Sequence, residues 1–390
     1  MTNHGMANQR MKKIGYVIPT FPVLSETFIG VEMRAMMRKG HDVQPFAFAG
    51  TEHYQPADHA LVARCQYIPT TLSAGALRHL VNMASTHKFL TEQQGFSYFS
   101  LLKQGAILAE LARRAGCDHL HAHFAWHSAA TAIVAAKLLG ISVSLVGHGA
   151  DIYAAPEDLN SKLNHIDFGC AVTQDMMRHL QTRTSTRIHY VACGLEPSHY
   201  PPLNPDWVPG KDFLFIGRLV EKKGIDTLVE AFARLPTTTA LDIVGDGPLM
   251  PGLQRTLQER GLTRQIRLLG AQNADWLREH AGDYKALVAP FCIAANGDRD
   301  TGPLVIKEAM GLGLPVITSD LAGCNEILDP QSGLQVPMQN ASALAQMMAQ
   351  VLGQPFTALS PLRTQAYQRV FDLYNADLHA GRLSCLVEGA

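Results

Sequence analysis

The sequence predicts an α/β chain of two Rossmann-like, doubly wound halves that face each other across a cleft. Three observations predict it. Short apolar runs alternate with helical patterns through both halves of the chain, which is the rhythm of parallel βαβ units. A proline-rich joint, YPPLNPDWVPGKD (200–212), separates two such series. The length, 390 residues, fits two domains. The expected division is 1–203 for the first half, with 1–11 as a flexible polar tail, 204–358 for the second, and a final helix over 359–390.

In order, KIGYVIPT (13–20) reads as a buried strand. FPVLSETF (21–28) is a loop turning into a helix, with Ser25 as its expected N-cap and Phe28, Ile29, Met33, Met36 and Met37 on its apolar face. Gly40 ends that helix, and DVQPFAF (42–48) is a second strand whose internal Pro45 predicts irregularity or a place near an edge. Residues 51–115 carry helical patterns at 72–84 and 97–115. Their basic residues (Arg78, His79, His87, Lys88, Lys103, Arg113 and Arg114) do not form one dense cluster, so a helical cover for the sheet outweighs a membrane-docking surface. Strands are then expected at 117–123, 142–148, 167–173 and 188–193, with helices at 128–139 and 174–183. The second series places strands at 213–217, 240–245, 266–270, 286–290, 314–319 and 334–336. Its helices fall at 224–235, 248–260, 273–281, 303–312 and 341–353. The end of the chain, 359–388, reads as helix with no strand partner.

Composition narrows the function classes. The chain is 47% hydrophobic and 17% charged with a net charge of −1, which fits two ordinary cores and argues against a broad nucleic-acid footprint. Seven cysteines are scattered without CxxC spacing, the pattern of reduced cytosolic thiols. The polar start has no apolar signal-peptide core, and no run is long and apolar enough to span a bilayer.

The second series carries the chemistry. Ala289–Asp320 reads as a strand end, a glycine-containing loop, a helix with Thr301 or Gly302 as cap and Pro303 at its first position, and a further strand. Free amides at such a helix start, in the positive field of its dipole, attract a phosphate. Two carboxylates, Asp300 and Glu308, stand beside that anion site, which fits a phosphate joined to a hydroxyl-rich group. Gly217-Arg218 ends a strand and Lys222-Lys223-Gly224 opens the next helix. A solvated basic loop is the ordinary reading of such charges, but a strand's carboxyl end is where doubly wound sheets bind ligands. Val244-Gly245-Asp246-Gly247-Pro248 is a second strand-to-helix glycine turn that can wall a nucleotide. In the first half, His148 lies between two glycines at a strand end, where little packing is expected and a polar contact near the reacting bond is. His121 and His123 alternate on one strand and can hold a metal, but no third ligand is placed by the sequence. Asp298-Arg299-Asp300 matches DxD only formally.

These residues resemble the retaining, family-4 type glycosyltransferases of the GT-B fold. The resemblance rests on FLFIGRLVEKKGIDTLVEAFARL (213–235), LDIVGDGPL (241–249), IRLLGAQ (266–272), TGPLVIKEAMGLGLPVITSDLAGCNEIL (301–328) and SGLQVP (332–337). FPVLSETFI (21–29), LHAHF (120–124) and VGHGADIY (146–153) resemble the bacterial exopolysaccharide, colanic-acid type subgroup. The resemblance implies that Arg218 and Lys223 bind and stabilise the departing diphosphate, and that Glu308 holds the ribose. Asp300, at the first acid of the E-x7-E motif, would hold sugar hydroxyls. Gly302, Pro303 and Leu304 would meet phosphate or sugar through the backbone, with Gly217, Gly245 and Gly247 lining the donor site. His148 would contact the transferred sugar, Ser25, Glu26 and Thr27 would form the loop near diphosphate and acceptor, and the last helix, 359–390, would cross back onto the first half. Asp replaces the commoner Glu at 300, and the N-terminal loop lacks a Gly-Gly pair.

The resemblance implies metal-independent transfer, with retention, from a UDP- or GDP-linked sugar and no cofactor. The acceptor would be an oligosaccharide or a lipid-diphosphate-linked chain, reached in the cytoplasm at the inner face of the membrane by peripheral contact. Other readings are a nucleotide-sugar epimerase or hydrolase of this fold, or a non-catalytic nucleotide-sugar binding module. A dinucleotide oxidoreductase ranks below both, since no G-x-G-x-x-G follows the first strand.

Overall fold

The computed structural model describes residues 11–390, so the expected tail at 1–11 lies almost wholly outside the described residues. The described residues divide into two compact units: 11–171, 177–191 and 377–390 form one, and 172–176 with 192–376 form the other.

The first unit holds a seven-stranded parallel sheet. Its strands are β1 (Lys13–Thr20), β2 (Asp42–Ala49), β3 (Gln66–Tyr67), β4 (His119–His123), β5 (Ser142–Gly147), β6 (Phe168–Ala171) and β7 (Ile188–Tyr190), in the order β3-β2-β1-β4-β5-β6-β7. The order reverses between β1 and β4, so the carboxyl ends of those two strands open the crevice where such sheets take ligands. Pro45 does not disturb β2. It lies opposite Tyr16 of β1, and β3 begins to pair only at Phe46, so the missing proline N–H leaves no ladder bond unmade. The helix Thr27–Arg38 starts one residue later than its expected cap requires. Glu26, not Ser25, stands at the cap position, and no side chain caps the helix there. A turn from Glu26 N–H to the Val23 carbonyl (3.1 Å) sets that start.

The second unit holds a six-stranded parallel sheet: β8 (Lys211–Ile216), β9 (Leu241–Val244), β10 (Ile266–Leu268), β11 (Tyr284–Ala289), β12 (Val316–Ser319) and β13 (Leu334–Val336), ordered β10-β9-β8-β11-β12-β13. Its reversal lies between β8 and β11. The fully buried Phe213, Phe215, Ile243, Ala286, Val288 and Ile317 form one core with Phe232, Leu344 and Met348 from the covering helices.

This unit begins at Ala192, before the prolines of 201–209. The reason is a backbone clasp: Leu195 N–H donates to the Tyr374 carbonyl (2.7 Å) and Ala376 N–H donates to the Leu195 carbonyl (2.8 Å). The clasp also breaks the expected single C-terminal helix into Ser360–Leu373 and Ala376–Gly389, with Asn375 bridged to Leu195. The last helix packs with the first unit, where Lys12 Nζ reaches the Val387 carbonyl (2.8 Å) and His41 Nε2 lies 2.9 Å from Ser384 Oγ. Among the described residues, no helix is long and apolar enough to cross a membrane.

Candidate active site

The second sheet's switch point gathers the charged residues named from the sequence. β8 delivers Gly217 and Arg218 at its carboxyl end. Arg218 is exposed, and among the described residues its guanidinium makes no ion pair. A 3-10 turn, Glu221–Lys223, then leads through Gly224 into the helix Ile225–Phe232. Lys223 Nζ lies 2.9 Å from Asp300 Oδ2 and 4.3 Å from the Phe291 ring centroid. Lys222 Nζ lies 3.0 Å from Asp298 Oδ1 and 3.9 Å from Asp300 Oδ1. The acids of the Asp298-Arg299-Asp300 run are thus both engaged by lysines, which leaves the formal DxD match without the free carboxylate pair a cation needs.

The loop after β11 turns at Gly302, whose φ of 75° favours glycine. The helix that follows is Leu304–Gly311. Pro303 occupies its cap position rather than its first turn, and neither Thr301 nor Gly302 caps it. The shift lies in Pro303 itself: its φ of −59° is helical but its ψ of 124° is extended, so helical backbone begins only at Leu304. No side chain caps this helix start, so its first-turn amides keep their capacity to bind an anion.

Glu308 lies one turn into the same helix and is half-buried. Burial pushes its carboxyl up to about 7, with the positive charge of Arg278 opposing. The Tyr200 hydroxyl is pushed well above its usual range, first by burial and then by Glu308. Arg278, Tyr200 and Glu308 therefore form one polar group on the helix face.

Gly245 and Gly247 have a packing role that the sequence did not reveal. A Cβ at Gly245, where φ is 141°, would lie 1.9 Å from the Gly217 carbonyl oxygen, and one at Gly247 would lie 2.5 Å from that of Leu219. The glycines let the β9 turn seat against the turn that carries Arg218.

The first unit places His148 just past β5. Asp151, fully buried, accepts the N–H groups of Gly149 (2.8 Å), His148 (3.0 Å) and Ala125 (2.8 Å), which fixes the turn. The His148 ring is not sparsely packed, as its glycine neighbours led one to expect. Its centroid sits 4.5 Å from Phe28 and 4.6 Å from Phe124, and its Nε2 lies 3.0 Å from His123 Nδ1. Burial, then His123, holds its pKa well below the usual range, so it is a neutral imidazole. Ser25 is exposed, while Glu26 and Thr27 are half-buried at the start of the helix Thr27–Arg38. The loop before them is tied down by Gln55 Nε2, which donates to the Leu24 carbonyl (2.9 Å), and by Thr51 Oγ1, which donates to that of Pro22 (2.8 Å).

A family model described as glycosyl transferases group 1 matches residues 210–354. Residues 210–354 thus resemble a group 1 glycosyl transferase domain. The chain is similar over 96% of its length, at 24% identity, to the amylovoran biosynthesis glycosyltransferase AmsK of Erwinia amylovora, covering 99% of that protein. The protein WcaL of Escherichia coli K12, named for colanic acid biosynthesis, is also 24% identical over 96% of this chain and 99% of its own. Among solved structures, sucrose-phosphate synthase of Thermosynechococcus elongatus superposes with a TM-score of 0.74 at 18% identity, covering 97% of this chain and 99% of that one. HepE of Anabaena, in complex with UDP-glucose, gives 0.74 at 13% identity over 97% of this chain and 100% of its own. These likenesses establish the GT-B fold.

The structure gathers Gly217, Arg218, Lys223, Asp300, Gly302, Pro303, Leu304 and Glu308 in the second unit around the β8–β11 switch point, with Gly245 and Gly247 on the neighbouring turn. His148, Ser25, Glu26 and Thr27 belong to the first unit. Three residues escaped the sequence reading. Asp151 lay within VGHGADIY with no role assigned to it, and Glu32 carried no motif. Lys307 read as an ordinary helix lysine, yet it is 1% exposed, with Nζ donating to the Cys193 carbonyl (2.7 Å) and lying 4.3 Å from the Tyr374 ring centroid.

Proposed function

We propose that this glycosyltransferase moves a sugar from a nucleoside-diphosphate sugar to an oligosaccharide or lipid-linked acceptor in bacterial exopolysaccharide biosynthesis, with retention at the anomeric carbon and without a metal on the diphosphate. The observation that carries the reading is the conjunction at one switch point of Arg218, Lys223 and an uncapped helix start, with Glu308 and Asp300 flanking them. Cations and oriented amides stabilise negative charge that grows on a departing diphosphate, and fixed donors do so without reorganisation. Glu308 holds the ribose hydroxyls and Asp300 the sugar hydroxyls. The acceptor hydroxyl attacks from the leaving-group side and passes its proton to the departing phosphate oxygen, so no carboxylate nucleophile is required. The neutral His148 serves as a hydrogen-bonding group to the transferred sugar. The UDP-glucose bound by HepE and the polysaccharide names of the full-length relatives support the donor class and the pathway class.

Contact with a membrane surface at the cytoplasmic side belongs to the same proposal. Leu77, Val81, Met83 and Phe99 are exposed at 51%, 83%, 52% and 78%, on segments that also carry Arg78, Lys88 and Lys103. Apolar tips beside cations suit an anionic lipid interface.

The test is a panel of UDP- and GDP-sugars, read by thermal shift and by nucleotide release with and without polyprenyl-diphosphate-linked oligosaccharide. Acceptor-dependent release of nucleoside diphosphate with the α-configured donor giving an α-linked product is expected. Donor conversion without acceptor would replace the reading with an epimerase or hydrolase, and binding without release would leave a binding module.

A further inference from the structure

We propose that the first unit binds one divalent ion of the zinc class through Glu32, His121 and His123. The three side chains meet where β4 ends beside β1. His121 and His123 alternate on β4 and so project to one face, while Glu32 comes from the helix Thr27–Arg38. One ligand atom from each lies within 4.8 Å of the others. Glu32 Oε1 is 3.3 Å from His123 Nε2 and 3.5 Å from His121 Nε2. Two ligands about 2.0–2.1 Å from a tetrahedral zinc stand roughly 3.3–3.4 Å apart, so both spacings match tetrahedral edges.

The outer atoms of the two rings are arranged as in a metal site. His121 Nδ1 lies 2.7 Å from Ser144 Oγ, which also meets His119 Nε2 at 2.7 Å. His123 Nδ1 lies 3.0 Å from His148 Nε2. When each Nδ1 carries the proton and donates outward, each Nε2 lone pair faces Glu32, which is the tautomer a metal needs.

The competing account is a plain hydrogen-bonded cluster. In it, both Nε2–H groups donate to the same carboxylate oxygen. His121 Nε2 fails that test: it is in a residue 1% exposed, and it has no hydrogen-bond partner. The hydroxyl of Tyr16, whose ring centroid is 5.4 Å from that of His121, is likewise buried without a partner. Two unmet polar atoms in one buried cluster are costly unless something answers them. An ion answers the nitrogen, and a three-ligand site leaves the fourth tetrahedral position to water.

The experiment uses the full chain, stripped with a chelator and dialysed, and titrated separately with Zn²⁺ and Co²⁺ by calorimetry and visible absorption. One equivalent should bind, and Co²⁺ should give the intense bands of a tetrahedral site. Glu32→Gln and His121→Gln, checked for folding by circular dichroism, should each weaken binding by roughly 100-fold or more and abolish the cobalt bands. Ser144→Ala, which keeps all three ligands, should weaken it by roughly 10–100-fold. Absence of stoichiometric binding in the wild-type chain would overturn the proposal. So would a cobalt spectrum unchanged in both Glu32→Gln and His121→Gln, because the ion would then sit elsewhere.

Discussion

Lys223 Nζ and Asp300 Oδ2 are 2.9 Å apart, with their side chains 14% and 13% exposed. One residue was assigned to the diphosphate and the other to the sugar, so their contact makes the two halves of the proposed donor site a single unit. The pairing holds the ammonium in place before a ligand arrives. Lys223→Ala should lower kcat for transfer by roughly 100- to 1,000-fold, the effect of removing one preorganised donor to a growing charge. Asp300→Glu, one methylene longer, should keep most of the activity, whereas Asp300→Ala should raise the donor KM and lower kcat together. Steady-state kinetics with saturating acceptor checks all three, and near-wild-type turnover of Lys223→Ala would remove the lysine from the mechanism.

Glu308 gives the site a pH dependence whose sign can be worked out. Its folded pKa, about 7, is above the ordinary carboxyl value of 4.5, so folding favours its protonated form. The associated stabilisation is fully present below 4.5 and is lost as pH rises through about 7. A shift of this size corresponds to at most about 3.5 kcal/mol. Thermal unfolding of the wild type should therefore lose ground to Glu308→Gln between pH 5 and pH 8. Nucleotide-sugar affinity should move the opposite way and rise across the same interval, because the carboxylate is the stronger acceptor for ribose hydroxyls. Identical pH profiles for the two proteins would remove Glu308 as the titrating group.

The fold was legible because periodicity and punctuation agreed: buried runs such as Ile14–Ile18 and Leu287–Ala289 lie between glycine- and proline-marked turns, and both became central parallel strands. What could not be read were relationships between distant segments. The Leu195–Asn375 clasp, which moves the unit boundary and breaks the last helix, is made by backbone atoms, and its one trace in residue type is Gly194, where a Cβ would lie 2.6 Å from Ala376 Cα. Pro45 marked β2 as near an edge, and β2 does lie beside the two-residue edge strand β3; the irregularity it also suggested is absent because β3 pairs only from Phe46. Glu32 lies 89 residues before His121, so the HxH pair seemed to lack a third ligand until folding brought the helix across. The Lys223–Asp300 contact was hidden for the same reason, although both residues stood out singly.

Lys307 tests whether a residue that the mechanism does not use holds the donor helix in place. Its ammonium donates to the Cys193 carbonyl and sits over Tyr374, within the segment that clasps Leu195. Burial lowers its pKa to about 8. Lys307→Ala removes the hydrogen bond, the ring contact and the packed stem, and should cost about 2–4 kcal/mol. Lys307→Arg cannot fit the same enclosed space and should also destabilise. Chemical denaturation measures both; a midpoint unchanged in Lys307→Ala would mean that the buried charge costs as much as its contacts return.

Gly245 separates a packing role from a ligand-binding one. Its φ of 141° is unfavourable for any other residue, and a Cβ there would lie 1.9 Å from the Gly217 carbonyl oxygen, an atom of rigid backbone. Gly245→Ala must therefore push the β9 turn away from the turn that carries Arg218. We expect a stability loss of about 3 kcal/mol or more, together with weaker donor binding, since overpacking against backbone leaves no rotamer to relax. Gly252 is the control. It lies in the helix Met250–Glu259 with open space around it and no positive φ. Gly252→Ala should raise stability by about 0.5–1 kcal/mol, the helix preference of alanine over glycine, and leave donor affinity unchanged. If Gly245→Ala keeps wild-type stability and loses only donor affinity, its glycine is there for the ligand, and the packing explanation for the turn fails.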